Sequence, residues 1–331
     1  MDQTRLKDIA KELGLSTNTV SKALNGKPGV NEETRRKIEQ TALRMHYTPN
    51  EMARSLRGYT PMFIGIIVDD SASPYFAEVI KGIEDESATL GYYTLLFNAG
   101  MNREREQRAL EMLQRVRVSG IVFHPGNLDG ETISTLKRLT MPVVLLDVLP
   151  NDLSCDSVNN DDRYGMKMLT SLVLSRGFER IAFLNLREES PPAVNRLAGV
   201  YDALDEAGKS RDFIQVYPNA SKNAYSLAYS LMTKPNRPDC LLCANDTTAA
   251  MAMEAVLDCG LSIPGDVSVT GYDDVSYARL LRVPLTTVSQ PKKDTGRVAM
   301  QLLHARIKGT GPDEPVRFME KPEIKIRKSL L

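Results

Sequence analysis

The sequence predicts an N-terminal all-α unit with a helix-turn-helix, joined to an α/β body of two doubly wound parallel-sheet lobes. Three observations predict it. Residues 6–26 carry two short amphipathic segments broken by Gly14 and Ser16. From Met62 onward, short apolar runs alternate with stretches of helical periodicity, the pattern of parallel strands covered by helices on both faces. The chain of 331 residues is too long for one small domain and long enough for two or three.

In the first segment Leu6, Ile9, Ala10 and Leu13 fall on one stripe, and Lys7, Asp8, Lys11 and Glu12 on the other side. Gly14 stands where a helix commonly ends in a left-handed residue, and Ser16 suits the cap of the next helix. There Val20 and Leu24 are apolar anchors one turn apart, and Ala10 is small enough to let the two helices cross closely. Thr17, Asn18, Ser21 and Lys22 are left facing outward. They lie near a helix N-terminus, the part of a recognition helix that reaches base edges in the major groove. Asn18 suits bidentate pairing with adenine, and Lys22 donation to guanine. The same local pattern also fits an ordinary solvated helix hairpin.

Asn31 caps a third helix, with Glu32 and Glu33 in its positive first turn and Ile38, Thr41, Ala42 and Met45 on its inner face. His46 takes a place where helices often use Gly. Pro49 pushes Thr48 away from helical geometry and stops the helix. Asn50 to Arg57 then has room for about two helical turns, too short to be stable alone in water.

The Asp8-Ile9-Ala10 run, the segment from Ser16 to Asn25, Tyr47-x-Pro49-Asn50 and Ala53-Arg54-x-Leu56 jointly resemble the headpiece of the LacI/GalR family of bacterial transcription regulators. The resemblance implies that Thr17, Asn18, Ser21 and Lys22 read bases. It also implies that Ala53 and Leu56 belong to a hinge helix entering the minor groove, with Leu56 as an apolar wedge between base steps. A linker leucine packing on the body is the other reading of Leu56.

Charge agrees with this placement. Residues 1 to 60 hold 11 Lys and Arg against 7 Asp and Glu, whereas the remainder holds 31 against 35, an asymmetry expected of a nucleic-acid contact. No apolar run is long enough to span a membrane, and the amino terminus reads as an amphipathic helix, not a signal peptide, so a cytoplasmic protein is expected. Cys155, Cys240, Cys243 and Cys259 suit a reducing compartment. Cys240 and Cys243 have the spacing of a redox or metal pair, yet they lie in an apolar strand-like run where residues three apart face opposite sides. Packed core thiols are expected, without metal or cofactor. No glycine-rich phosphate loop, H-E-x-x-H or nucleophile elbow is present, so no enzyme is expected.

In the body, strands are expected at Phe63 to Val68, Thr94 to Phe97, Gly120 to Phe123, Val143 to Asp147, Ile181 to Leu184, Cys240 to Cys243, Val267 to Tyr272 and Thr286 to Ser289. Helices are expected at Tyr75 to Thr89, Glu104 to Arg115, Asp161 to Ser175, Arg196 to Glu206, Asn223 to Met232, Thr247 to Cys259 and Lys293 to Ile307. Such sheets bind ligands beyond the carboxyl ends of their strands.

The family resemblance continues through Pro74 to Val79, Arg115 to Val122, Arg196 to Gly199, Ala244-Asn245-Asp246, Gly271 to Asp274 and Leu285 to Pro291, and implies a periplasmic-binding-protein-like body. The expected division is a headpiece at 1–48, hinge helix and linker at 49–60, and a two-lobed effector-binding and dimerisation domain at 61–331. Its first lobe would be about 61–159 and 291–318, its second about 160–290 and 319–331.

By the same resemblance Arg196 and Asp273 grip an effector first, then Asn245 and Asn159, then Tyr75 and Phe76 near the cleft mouth. Each has a bland counterpart: Asn245 stabilising a turn, Asp246 capping a helix, Phe76 packing in the core. The expected function is a sequence-specific DNA-binding repressor controlled by a small molecule between the lobes, most simply a sugar. A sugar acid or a purine co-repressor stays open, because Val158-Asn159-Asn160-Asp161 lacks the family's usual acid at the lobe crossing. A stand-alone sugar-binding receptor is the rival class. The expected partners are double-stranded operator DNA, a small-molecule effector and a second copy, with no membrane; residues 321–331 read as a final strand without the leucine heptads of a tetramerising coil.

Overall fold

The structure, a computed structural model, describes residues 4–47, 63–149 and 153–331. It separates into an N-terminal unit and a body beginning at Met62.

In the N-terminal unit α1 (Leu6–Leu13), α2 (Thr17–Leu24) and α3 (Glu32–Arg44) close over Ile9, Ala10, Val20, Ala23, Ile38 and Ala42. Leu24 sits at the edge of this core, and the smaller Ala23 takes the centre. Gly14 adopts φ 66°, and Ser16 Oγ accepts from the Thr19 amide at 3.1 Å. Asn31 caps α3 through the Thr34 amide at 2.8 Å. His46 ends that helix at φ 50°, and the Tyr47 N–H returns to the Ala42 carbonyl at 2.8 Å. Arg35 on α3 donates to the carbonyls of Ala23 and Lys27 at 2.6 and 2.9 Å, satisfying backbone left over at the end of α2. The expected hinge segment, Asn50 to Arg57, lies outside the described residues.

The body holds two six-stranded sheets. The first combines β1 (Phe63–Val68), β2 (Tyr93–Asn98), β3 (Gly120–Phe123), β4 (Val143–Leu146), β5 (Asp156–Asn160) and the late β11 (Arg317–Glu320), in the order β11-β5-β4-β3-β1-β2, all parallel. The second combines β6 (Ile181–Leu184), β7 (Ile214–Tyr217), β8 (Cys240–Cys243), β9 (Ser268–Asp273), β10 (Thr286–Ser289) and β12 (Glu323–Lys325), in the order β12-β10-β9-β8-β6-β7, with β12 an antiparallel edge. Helices α4 (Pro74–Thr89), α5 (Arg103–Val116), α6 (Gly130–Arg138) and α11 (Lys292–Lys308) follow or complete the first sheet. Helices α7 (Asp162–Ser175), α8 (Pro191–Glu206), α9 (Ala224–Met232) and α10 (Asp246–Asp258) belong to the second.

Each central strand is buried on both sides. Ile64 and Ile66 pack with Val79, Ile83, Met300 and Leu303, whereas Ile67 packs with Leu110 and Leu113 on the other face. The same alternation separates Cys240 from Cys243, which fall in different cores of the second lobe. Both are buried free thiols whose burial raises their pKa, so they are packing groups.

Three strands and one helix go beyond those read from the sequence, while β12 falls within the final strand expected at 321–331. β5, Asp-Ser-Val-Asn-Asn, is polar in sequence, yet it is buried between β4 and β11. β7 and β11 are short and lie at sheet edges, where one side stays exposed and the apolar signal is weak. Helix α8 starts at Pro191, five residues before Arg196, because prolines at the first helical positions sacrifice no internal hydrogen bond. The chain leaves the first sheet after Asn160, returns after Ser289, and crosses again between Glu320 and Glu323. The first sheet therefore keeps Asn160 and Met319–Glu320, one and two residues beyond the expected limits.

Helices α4 and α11 meet backbone to backbone. A Cβ on Gly82 would lie 2.1 Å from the Lys293 carbonyl oxygen, and one on Gly296 would lie 2.1 Å from that of Val79. Gly296→Ala is expected to cost about 1–3 kcal/mol through overpacking, read by urea unfolding of the full chain. Gly130→Ala, where the added methyl meets nothing within 4 Å, serves as the neutral comparison.

Candidate functional site

On the N-terminal unit Thr17, Asn18 and Lys22 are exposed along α2, and Ser21 is half-buried. The Asn25 amide donates to the Ser21 carbonyl at 2.6 Å, so the far end of α2 is held by its own side chains. The helix thus presents hydrogen-bonding groups from its first turn onward, where a recognition helix meets base edges. Ala53 and Leu56 lie outside the described residues.

In the body, the carboxyl ends of the strands enclose a cavity of about 440 Å³. The first lobe contributes Asp69, Ser73, Tyr75, Phe76, His124 and Asp147, the second Asp162, Arg187, Ser190, Arg196, Lys222, Asn245 and Asp273, and Gln290 comes from a crossing. Five of the six expected contact residues line it; Asn159 does not.

Arg196 forms the floor and is 5 % exposed. Its Nε donates to Asp162 Oδ1 at 2.9 Å, Nη1 to the Ala244 carbonyl, and Nη2 to Asp273 Oδ1 at 3.4 Å. The guanidinium carbon lies 3.9 Å from the centre of the Tyr272 ring, a cation–π arrangement. Burial opposes the charge, but Asp162 and Asp273 outweigh it and hold the guanidinium pKa above its ordinary value. Burial also raises Asp162 despite Arg196, and pushes Asp273 up to about 7. Gln290 Nε2 donates to the same Asp273 Oδ1 at 2.9 Å, so one carboxylate oxygen serves both Arg196 and the crossing residue. Asn245 is the N-cap of α10, accepting from the Thr248 amide at 2.7 Å, and lines the cavity as well.

The opposite wall is a three-way hydrogen-bonded group. The Tyr75 hydroxyl donates to Asp147 Oδ2, and Asn160 Nδ2 donates both to Tyr75 Oη and to Asp147 Oδ1, each at 2.9 Å. Asn160, not the expected Asn159, thus holds two residues of the wall, although it does not itself line the cavity. The two-residue period of β5 turns Asn159 the other way, to donate to Ser157 Oγ at 2.9 Å. Phe76 reaches the cavity from the core, its ring centre 4.8 Å from that of His124 and 5.2 Å from that of Tyr75. His124 is buried with Nδ1 unpartnered, and burial pushes its pKa down to about 4. Asp147, Asp162, His124 and Asp69 escaped the sequence reading as contacts. Asp69, His124 and Asp147 immediately follow β1, β3 and β4, so strand-end position was the available signal.

Three aspartates at strand ends have left-handed backbones, Asp147 at φ 54°, Asp273 at 107° and Asp274 at 51°. Behind them Asp246 is fully buried, accepting from the Val275 amide at 2.8 Å and lying 2.6 Å from Thr287 Oγ1. Burial, with Asp273 nearby, pushes its pKa up to about 8. Its folded value thus exceeds the ordinary carboxylate value of 3.8, so the folded state holds the proton more tightly. The resulting stability is complete below pH 3.8 and is lost as pH rises through about 8. Asp246→Asn, which mimics the neutral acid, is expected to flatten this part of the stability–pH profile between pH 5 and 8, read by urea unfolding at stepped pH.

Residues 5–50 match the bacterial regulatory proteins of the lacI family, and residues 170–330 match the periplasmic binding protein-like domain. The chain is 32% identical over 328 residues, 98% of each chain, to the HTH-type transcriptional repressor PurR of Photobacterium profundum. It is similar at TM-score 0.86 and 25% identity, over 100% of both chains, to the lac repressor dimer bound to operator and the anti-inducer ONPF. A LacI family transcriptional regulator from Enterococcus faecium with bound ribose matches at TM-score 0.74 and 25% identity, covering 81% of this chain and 98% of its own. The chain belongs to the lacI family of bacterial regulatory proteins.

Proposed function

We propose that the chain is a dimeric, operator-binding transcriptional repressor whose hold on DNA is set by a sugar bound between the two lobes. The observation that carries this reading is the cavity itself, in which Arg196 with Asp162 and Asp273 faces Tyr75 with Asp147. Both walls hold donors and acceptors, so each hydroxyl of a polyol can donate to one wall and accept from the other. Four carboxylates, Asp69, Asp147, Asp162 and Asp273, stand against Arg187, Arg196 and Lys222, with Lys292 behind, a near balance that favours a neutral polyol over a sugar acid. Phe76 already packs edge-on with Tyr75 and His124, which disfavours it as a stacking platform for a purine.

Two surfaces suit a second copy. β2 is an edge strand with Tyr93 and Leu96 exposed, and the second lobe exposes the stacked pair Tyr225 and Tyr229, whose ring centres are 6.2 Å apart. A two-fold pairing would present two headpieces to a pseudo-palindromic operator. Among the described residues no helix is long and apolar enough to cross a membrane. The cytoplasm, where operator DNA lies, is the compartment in which this repressor acts.

Thermal-shift measurements on the full chain should show stabilisation by D-ribose or a related sugar, about 2.7 kcal/mol at a hundredfold excess over Kd, and none by hypoxanthine. The same sugar should change retardation of a palindromic DNA fragment, and stabilisation by hypoxanthine with tighter DNA binding would replace the sugar reading by purine co-repression. Asn18→Ala is expected to cost about 1–3 kcal/mol of operator affinity and to relax selectivity at one base pair, measured on a panel of single-base operator variants. Equal affinity across that panel before and after substitution would remove Asn18 from base reading.

A further inference from the structure

Lys292 is the first residue of α11, just past the crossing from β10 back to the first lobe. Its side chain is buried, and its ammonium does not line the cavity. Nζ donates to the Asp273 carbonyl at 2.6 Å and to the Asp274 carbonyl at 2.9 Å, and stands 3.5 Å from the Gln290 carbonyl. Its nearest carboxylate is Glu78 Oε2 on α4, at 3.9 Å. The backbone of Lys292 therefore belongs to the first lobe, while its two shortest hydrogen bonds end on the second.

The acceptors are unusual. Asp273 at φ 107° and Asp274 at φ 51° are consecutive non-glycine residues in the left-handed half of backbone space, a strained conformation that persists only where its surroundings hold it. In this turn both carbonyls converge on one ammonium while the Asp273 carboxylate faces Arg196 and Gln290. Arg327 Nη2 holds the Asp274 carboxylate from the other side at 2.6 Å. A buried cation costs several kcal/mol in desolvation unless its donors are satisfied, and here the strained turn supplies the acceptors.

We propose that Lys292 is the positioning residue of the cleft: it holds the Asp273–Asp274 turn so that the Asp273 carboxylate faces the cavity, and it couples that turn to the first lobe beside the crossing. This rests on the reading of the cleft as the effector site, but the coupling itself is a property of the ligand-free chain. When the lobes shift, the ammonium must move with α11 or leave its carbonyls. The orientation of a ligand-facing carboxylate and the setting of the lobes are thereby one variable.

Amide hydrogen exchange on the ligand-free full chain tests this without knowledge of effector or operator. Two amides report, Val275 beside the turn, bonded to Asp246, and Asp161 at another crossing, bonded to the Glu320 carbonyl. The Leu242 amide in the buried β8 reports on the second lobe as a whole. In Lys292→Met, of similar volume without charge, Val275 and Asp161 should exchange about tenfold faster with Leu242 unchanged, a local opening and not global unfolding. Lys292→Arg should restore protection at both. Lys292→Gln, polar but short and uncharged, should behave like Lys292→Met and replaces it if the methionine variant fails to fold. Unchanged exchange at Val275 and Asp161, or equal acceleration at all three amides, would overturn the proposal. Either result would leave sugar binding to be judged separately by thermal shift.

Discussion

The interior of the cleft depends on a single buried guanidinium. Arg196 partly offsets the burial that raises the pKa of two carboxylates, and it joins three elements of the second lobe through Asp162, the Ala244 carbonyl and Asp273. Its planar fork makes this possible, since donors in one plane reach partners on different sides, which a lysine ammonium cannot reproduce. Buried ion groups seldom maximise stability, and well-packed apolar residues often do as well or better. A charged floor is therefore better understood as a fixed pattern of donors and acceptors kept ready for a polar ligand.

That pattern is assembled from strand ends, and the backbone there is distorted to make it. Asp147, Asp273 and Asp274 have positive φ angles that aspartate tolerates better than bulky residues do. Helix packing elsewhere is correspondingly tight, with Gly82, Gly296 and Gly199 each placed where a methyl group would meet a carbonyl oxygen. Rigid helix pairs of this kind favour movement of whole lobes about the crossings over bending within a lobe.

Much of the architecture was legible in the sequence because its signals are local and periodic. The stripe of Leu6, Ile9, Ala10 and Leu13, the left-handed Gly14 and the Ser16 cap each act within a few residues. The central strands are nearly continuous apolar runs, as doubly buried strands require. β5 was not legible, because its burial comes from β11, some 160 residues later in the chain. The site divided similarly. Arg196, Asp273 and Asn245 follow from motif resemblance, but the choice between Asn159 and Asn160 depends on strand register, which a one-residue slip reverses. Lys292 carried no signal, since its partners are carbonyl oxygens, which every residue has.

The first lobe is discontinuous in sequence. Ala299, Met300 and Leu303 of α11 cover Ile64, Ile66 and Val122, and β11 completes the sheet beside β5. During synthesis the headpiece, with its own small core, can therefore fold long before the first lobe has its last helix and strand. For that interval the ribosome carries a DNA reader without a working sensor, alongside an uncovered apolar sheet face. A chain interrupted before residue 292 would keep the reader and lose its control, so premature termination would yield a different molecule, not a weaker repressor.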